Sequence, residues 1–324
     1  MADTQVAPPA ESPDTGRQRG WWLMRRYRSL PHKRQEAIAA FAFLLPWFGG
    51  LIIITIGPML ASLYLSFTDY SLLAAPEWVG LDNYRQMFFA DARFWASLRV
   101  TFTYVFVSVP LQLAFALLLA MVLDKGLRGM SVYRAVYYLP SLLGSSVAIA
   151  ILWRRIFGSD GLVNQVMALF GVDIPGLVSH PDYALSTLIM LNVWTFGSPM
   201  IIFLAGLRQV PVMYYEAARV DGANPLQRFF RITIPMLTPI IFFNLILQTI
   251  GAFQTFTQAF IVSGGTGGPA DSTLFYTLYL YQEGFGRFNM GYASGMAWVL
   301  LTIVAGLTAV NFLASRYWVF YGDE

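Results

Sequence analysis

Six stretches of the chain contain no Asp, Glu, Lys or Arg: Ala37–Thr68, Val100–Leu123, Ala135–Trp153, Tyr183–Leu207, Ile232–Ala270 and Phe288–Ser315. A helix crosses a bilayer with about 20 apolar residues, so each stretch can span and the longest have residues to spare. Two shorter apolar pieces, Gly161–Val172 and Ser272–Gln282, cannot cross and are expected as interfacial or re-entrant helices. The pattern predicts an all-α integral membrane protein with six transmembrane helices. Charged residues make up 12% of the chain and hydrophobic ones 56%, whereas a soluble domain is about a quarter charged. Apolar spans, rather than one soluble core, account for that imbalance.

Lys and Arg orient the spans, because cytoplasmic loops are enriched in both. With the N-terminus inside, the inner segments hold fifteen basic residues and the outer loops six: Arg85, Arg93, Arg99, Arg154, Arg155 and Arg287. Both termini and the loop at residues 209–231 are therefore expected in the cytoplasm. Tyr317, Trp318 and Tyr321 form an aromatic belt beside the last span. Residues 1–36 read as a cytoplasmic tail, disordered at first, then basic and aromatic through WWLMRRYRSL. Arg25, Arg26 and Arg28 there suit anionic lipid headgroups better than nucleic acid. No short apolar segment precedes a small-residue cleavage site, so a cleaved signal peptide is not expected.

Between the fourth and fifth stretches, MYYEAARVDGANPLQRFFRITIPML (Met213–Leu237) is charged and patterned as two short helices with a forced corner. Pro211 opens the first helix, and Gly222 closes it as a left-handed cap. Asn224 caps the second, with Pro225 in its first turn. Leu226, Phe229 and Phe230 recur at helical spacing as an apolar knob, and Pro235 bends the chain into the fifth run. Those features alone do not separate it from an ordinary cytoplasmic loop.

The residue identities go further. Glu216-Ala217-Ala218, Asp221-Gly222-Ala223 and Ile232-Thr233-Ile234-Pro235 resemble the EAA loop of permease subunits from binding-protein-dependent ABC importers. That pattern is EAA, a Gly six residues after the Glu, then I-x-L-P; Ile234 stands where Leu is usual. LSFTDYSLL, WVGLDNYR and GGTGGPADST are similar to the sugar-type branch. The resemblance runs from about residue 40 to the C-terminus, to the first of the two permeases in maltose or glycerol-phosphate systems. It implies a type I importer permease (MetI-like) fold over residues 37–324 and a bacterial inner (cytoplasmic) membrane location. It also implies assembly with a second permease, two ATPase subunits and an extracytoplasmic solute-binding protein. Glu216, Ala217, Ala218, Asp221, Gly222, Ala223, Asn224, Phe229, Ile232 and Pro235 are then the loop that docks the ATPase. No long insertion separates the spans, so the chain resembles a compact six-span version, without the extra spans and large external domain of the maltose-type subunit.

Chemistry on this chain is not expected. Its only lysines, Lys33 and Lys125, follow no GxxxxG pattern, so a phosphate-cradling loop is missing. ATP and Mg would be used by the partner ATPase subunits, and no cofactor is expected here. Cysteine is absent and the two histidines, His32 and His180, are far apart, which excludes a thiolate or histidine-cluster metal site. Ser145-Ser146 has no nearby histidine and reads as small residues for close helix packing.

The fifth run is the most polar: Asn244, Gln248, Gln254, Thr255, Thr257 and Gln258, with Gly251 and Phe253 between. Uncharged amides in a membrane mark either a cavity or interhelical hydrogen bonds. A sugar needs amides and hydroxyls for its OH groups and an aromatic face for its C–H face. Asn192, Trp194 and Thr195 of the fourth run add to the same chemistry. Resemblance to the maltose-type permease places Asn192, Phe253, Gln254 and Thr257 on its substrate-facing positions. Gln254 and Thr257 stand where that permease has Asn, which implies a different sugar. The candidate substrate-binding set is Asn192, Gln248, Phe253, Gln254, Thr257 and Gln258, with Gln254 and Thr257, three apart, on one helical face. For any single member, a hydrogen bond between helices is the alternative. The predicted function is the membrane subunit that moves a sugar by alternating access. Glycerol phosphate or a polyol is the alternative solute, although no span interior offers a cation. An ion-coupled carrier is the alternative class, although it needs an intramembrane acid and the spans have none.

Overall fold

The computed structural model describes residues 31–124 and 130–320. The tail before residue 31, Lys125, Arg128 and Tyr321 lie outside the described residues. The chain divides into two units, residues 1–61 and 62–324. The first contains most of helix α1 (His32–Leu65), which widens into a π-helical turn at Leu51–Ile56.

In the second unit, a two-residue antiparallel ladder pairs β1 (Thr68–Asp69) with β2 (Glu77–Trp78) and is the only sheet among the described residues. After the short helix α2 (Asp82–Arg85) comes α3 (Ala92–Asp124), which packs against half of the helices that follow. Its buried residues recur every three to four positions, and Ser97, Ser108, Ala116 and Ala120 among them let neighbours approach closely. The remaining helices are α4 (Met130–Leu143), α5 (Val147–Phe157), α6 (Leu162–Leu169), α7 (Pro181–Trp194), α8 (Gly197–Leu207) and α9 (Val212–Val220). They are followed by α10 (Pro225–Phe253), α11 (Thr257–Ser263), α12 (Tyr276–Tyr281) and α13 (Met290–Trp318).

Among the described residues four helices, α1, α3, α10 and α13, are each long and apolar enough to cross a membrane. The other two expected spans are bent pairs: Val132–Leu143 meets Val147–Leu169 at 92°, and α7 meets α8 at 42°. Counting each pair once gives six. Of the two short apolar pieces, the first holds α6, which continues the second arm of the first bent pair to Leu169, and the second holds α12, prolonged by a π-helical turn at Gln282–Gly286.

Pro235 does not interrupt the helix that enters the fifth run. The second helix of the charged loop and the fifth span are one continuous helix, with a π-helical turn at Phe229–Thr233 just before the proline. Proline removes one helical hydrogen bond and crowds the carbonyl four residues back; a locally widened turn absorbs both effects. The same arrangement recurs in α1, whose widened turn ends two residues before Pro58.

The ends of α3 define the two ends of the bundle. Asp124, its last residue, pairs with Arg208 at the start of the 209–231 loop (3.4 Å). At the other end Asp91 precedes its first turn, where Oδ1 accepts from the Arg93 and Phe94 amides (2.9 and 3.1 Å). Asp91 Oδ2 accepts from the Tyr279 and Tyr292 hydroxyls (2.6 and 2.5 Å), while Arg93 forks onto Asp271 (2.8 and 3.0 Å). Asn83 donates to the Ser66 and Thr68 carbonyls (3.0 and 2.9 Å), and the Tyr70 carbonyl accepts from the Gly291 amide (3.1 Å). The LSFTDYSLL, WVGLDNYR and GGTGGPADST segments are thus braces of this end.

Candidate functional site

Three helix breaks meet at one cavity of 470 Å³. Gly144 and Ser145 between α4 and α5, Thr195 between α7 and α8, and Gln254–Phe256 between α10 and α11 all line it. Each break has a local cause. A methyl group on Gly144 would overlap the Thr195 side chain, so only glycine allows this crossing. Ser146 caps α5 by accepting from the Ile149 amide (3.3 Å). Pro199 lacks the amide that would close a helical bond to Thr195. The freed Thr195 carbonyl accepts instead from Ser141 Oγ (2.8 Å) and Gln112 Nε2 (3.1 Å).

Of the sequence-predicted binding residues, Asn192, Gln248, Gln254, Thr257 and Gln258 line this cavity. Asn192 Nδ2 donates to Gln112 Oε1 (3.4 Å), and Gln258 Nε2 donates to the Gly144 carbonyl (3.0 Å). Asn192 and Gln258 therefore also serve as links between helices. The side chains of Gln248, Gln254 and Thr257 have no hydrogen-bond partner among the described residues, which leaves their polar atoms for a solute or water. Gln254 and Thr257 do not share a helical face: one caps the end of α10 and the other opens α11, and they meet across the break. Phe253 is buried edge-on against Phe102 (5.3 Å between ring centres) and is not on the cavity. Phe256, in the break itself, and Tyr104 supply the aromatic surface. Trp194 lies beside Trp153, 6.3 Å between ring centres, and Asn244 is buried away from the cavity without a direct partner for its amide.

Sequence reasoning missed Gln112, Ser141 and Ser198, which also line the cavity. The signal for Ser141 and Ser198 was Pro199, four residues after Thr195, because it leaves a carbonyl and its neighbours needing partners. No charged side chain lines the cavity among the described residues.

At the loop end, α9 follows Pro211, and Gly222 adopts φ +77° beyond its last turn. Asn224 and Gln227 form a reciprocal capping box: Asn224 Oδ1 accepts from the Gln227 amide (2.8 Å) and Gln227 Oε1 from the Asn224 amide (2.9 Å). Tyr215 and Thr233 hydroxyls meet at 2.9 Å and tie α9 to the widened turn of α10. Glu216 and Ala217 are exposed, and Glu216 makes no ion pair with Arg219. Phe229 is half-buried against Phe230. Ala217, Ala218, Asp221, Ile232, Pro235 and Phe320 border a groove of 450 Å³ beside the loop. Ala223 joins Asp221 and Gly222 at an adjoining one.

A widened, capped corner at one end and a charge-free polar cavity between broken helices define a membrane transport subunit. Residues 87–318 match the family described as binding-protein-dependent transport system inner membrane component, and the chain belongs to it. It is an ABC transporter permease, a transport component rather than an enzyme. The chain is 54% identical over 302 residues to the probable ABC transporter permease protein YesP of Bacillus subtilis (strain 168), covering 93% of this chain and 97% of that one. It is 34% identical over 291 residues to the lactose transport system permease protein LacF of Rhizobium radiobacter, covering 88% and 96%. A chain from the crystal structure of a bacterial alginate ABC transporter, in complex with an alginate pentasaccharide-bound periplasmic protein, superimposes with a TM-score of 0.75. That match covers 87% of this chain and 95% of the other at 21% identity, and it shows the shared fold.

Proposed function

We propose that this chain is one of two permease subunits of an importer that moves a carbohydrate across the inner membrane. Two ATPase subunits dock at the 209–231 loop, and an extracytoplasmic binding protein delivers solute at the opposite end. Both termini face the cytoplasm. The observation that carries the solute class is the cavity, lined by amides, hydroxyls and the Phe256 and Tyr104 rings, with no charged group among the described residues. Interrupted helices whose ends converge on a midplane cavity are a recurring form of transporter binding site. Asn192, Gln248, Gln254, Thr257 and Gln258 are the proposed solute contacts, and Phe256 replaces Phe253 as the stacking ring. The lactose name of LacF and the alginate ligand of the superimposed transporter support carbohydrate cargo.

The loop transmits motion because its corner is stiff. Gly222 in the left-handed region and the Asn224–Gln227 box fix the angle between α9 and α10, and α10 runs without interruption from the corner to the cavity. A push on Glu216, Ala217 and Ala218 therefore reaches Gln254 through one helix. ATP and Mg act in the partner subunits, and no cofactor is assigned to this chain.

Reconstitution of the assembled complex in proteoliposomes tests this reading. Labelled sugar should accumulate only with ATP on the loop side and binding protein on the other. Labelling of Asn224→Cys from the binding-protein side, in a chain with no other cysteine, would reverse the orientation. Uptake driven by an ion gradient without ATP would favour a secondary carrier instead.

A further inference from the structure

Helices α5 and α11 pack along each other and both start at the cavity, α5 just after Ser145 and α11 with Thr257 and Gln258. Followed away from the cavity, they reach a second pocket of 510 Å³, bordered by Arg154 and Arg155 on α5, Ile261 on α11 and the Gly158–Gly161 turn. The Phe157 carbonyl there accepts from the Val178 amide (3.1 Å), just before α7 returns to the cavity at Asn192. The pocket therefore lies on the side of the cavity away from the 209–231 loop, the side from which solute enters in the proposed orientation. From Val147 to Arg154 the helix rises about 10 Å, a separation that a disaccharide or longer chain can bridge.

Both arginines are exposed and neither forms an ion pair among the described residues; Asp160 borders the pocket without pairing to either. The polar contact of Arg154 is a long one, Nη1 donating to the Ile261 carbonyl at 3.5 Å. Guanidinium groups match carboxylates in a two-bond fork, whereas the cavity offers neutral donors and, among the described residues, no cation to pair with one. We infer that this pocket is an outer subsite for the carboxylate of a uronic-acid-containing oligosaccharide. Arg154 and Arg155 hold the charged ring while an uncharged part of the chain occupies the cavity. A small anion such as glycerol phosphate is too short to reach both. The inference names the substrate class of the proposed importer and rests on that reading.

The test is equilibrium binding to the assembled complex in phosphatidylcholine nanodiscs. The probes are radiolabelled glucuronate- and galacturonate-containing disaccharides and their carboxyl-reduced counterparts. At least one acidic form should bind about tenfold tighter than its reduced partner, equivalent to about 1.4 kcal/mol, and added salt should shrink that preference. Arg154→Gln with Arg155→Gln should abolish the preference while leaving neutral binding and the melting temperature unchanged. Equal binding of acidic and reduced forms, or a preference that survives the double substitution, overturns the inference alone. So does a variant that loses only binding-protein affinity, which assigns the arginines to protein docking, or only a co-purifying anionic lipid, which assigns them to headgroups. Binding of neither sugar form contradicts the carbohydrate reading of the cavity itself.

Discussion

Ser141 Oγ donates to the Thr195 carbonyl at 2.8 Å, in the place of the helical amide that Pro199 does not have. Ser141 Oγ also accepts from the Ser198 amide (2.9 Å), so one hydroxyl secures both sides of the break in the fourth span. The break is a built feature, held by the third span and by Gln112 of the second. Ser141→Ala leaves the Ser198 amide unpaired, at a cost of about 1–3 kcal/mol. The expected outcome is a lower melting temperature together with weaker solute binding, measured on the purified complex. An unchanged melting temperature would mean the hydroxyl is not holding the break.

Gly144→Ala tests the crossing of two breaks. Its methyl group would overlap Thr195 and crowd the Pro140 carbonyl, and neither can move without disturbing the Ser141 bridge. Overpacking of this kind costs about 1–3 kcal/mol. Thermal unfolding of the variant should begin earlier, and solute binding should fall with it. A variant as stable as wild type would show that the third and fourth spans cross less closely.

The corner of the loop is sensitive to backbone chemistry. Gly222→Val places a β-branched residue at φ +77°, costing about 1–2 kcal/mol, and Asn224→Ala removes the cap at about 0.5–2 kcal/mol. Membrane insertion should survive, because neither residue lies in a span. Binding-protein-stimulated ATPase activity should fall in both, and in Glu216→Lys. Normal stimulation in all three would exclude the loop as the coupling element.

Acid should loosen the end of the bundle opposite the loop. Burial on its own raises the Asp91 carboxyl. Hydrogen bonds from the Tyr279 and Tyr292 hydroxyls and the Phe94 and Arg93 amides outweigh it and hold the group below its ordinary value of 3.8. A depressed folded-state value gives stability that is complete above the ordinary value and lost as pH falls through the folded one. The melting temperature should therefore drop below about pH 4, and Asp91→Asn should flatten that part of the profile while lowering stability at neutral pH. A parallel acid response in both proteins would assign the effect to other carboxylates.

How much was legible in the sequence follows from the range of each interaction. The charge-free stretches located the spans because lipid exposure is a property of each segment. The corner at Gly222, Asn224 and Pro225 was legible because caps act within four residues. The breaks were written more faintly: Pro199 announces a free carbonyl at Thr195, but not that Ser141 and Gln112 will take it. Phe253 and Phe256 could not be told apart, because which ring faces the cavity depends on where α10 ends, and Phe253 is held there by Phe102 of another span. The pairing of Arg93 with Asp271 and of Asp91 with Tyr279 and Tyr292 joins segments from opposite parts of the chain. No local pattern announces such pairs.

The central claim is that the cavity receives the transported sugar, and Gln254 tests it most directly because its amide lines the cavity without a partner of its own. The measurement is ATP-driven uptake of labelled sugars by proteoliposomes carrying Gln254→Leu, alongside the melting temperature of the same complex. Loss of one polar partner for the solute costs about 1–3 kcal/mol, so apparent affinity should weaken roughly five- to 150-fold with the melting temperature unchanged. A variant that melts early yet transports the same sugars with unaltered affinity would contradict the claim.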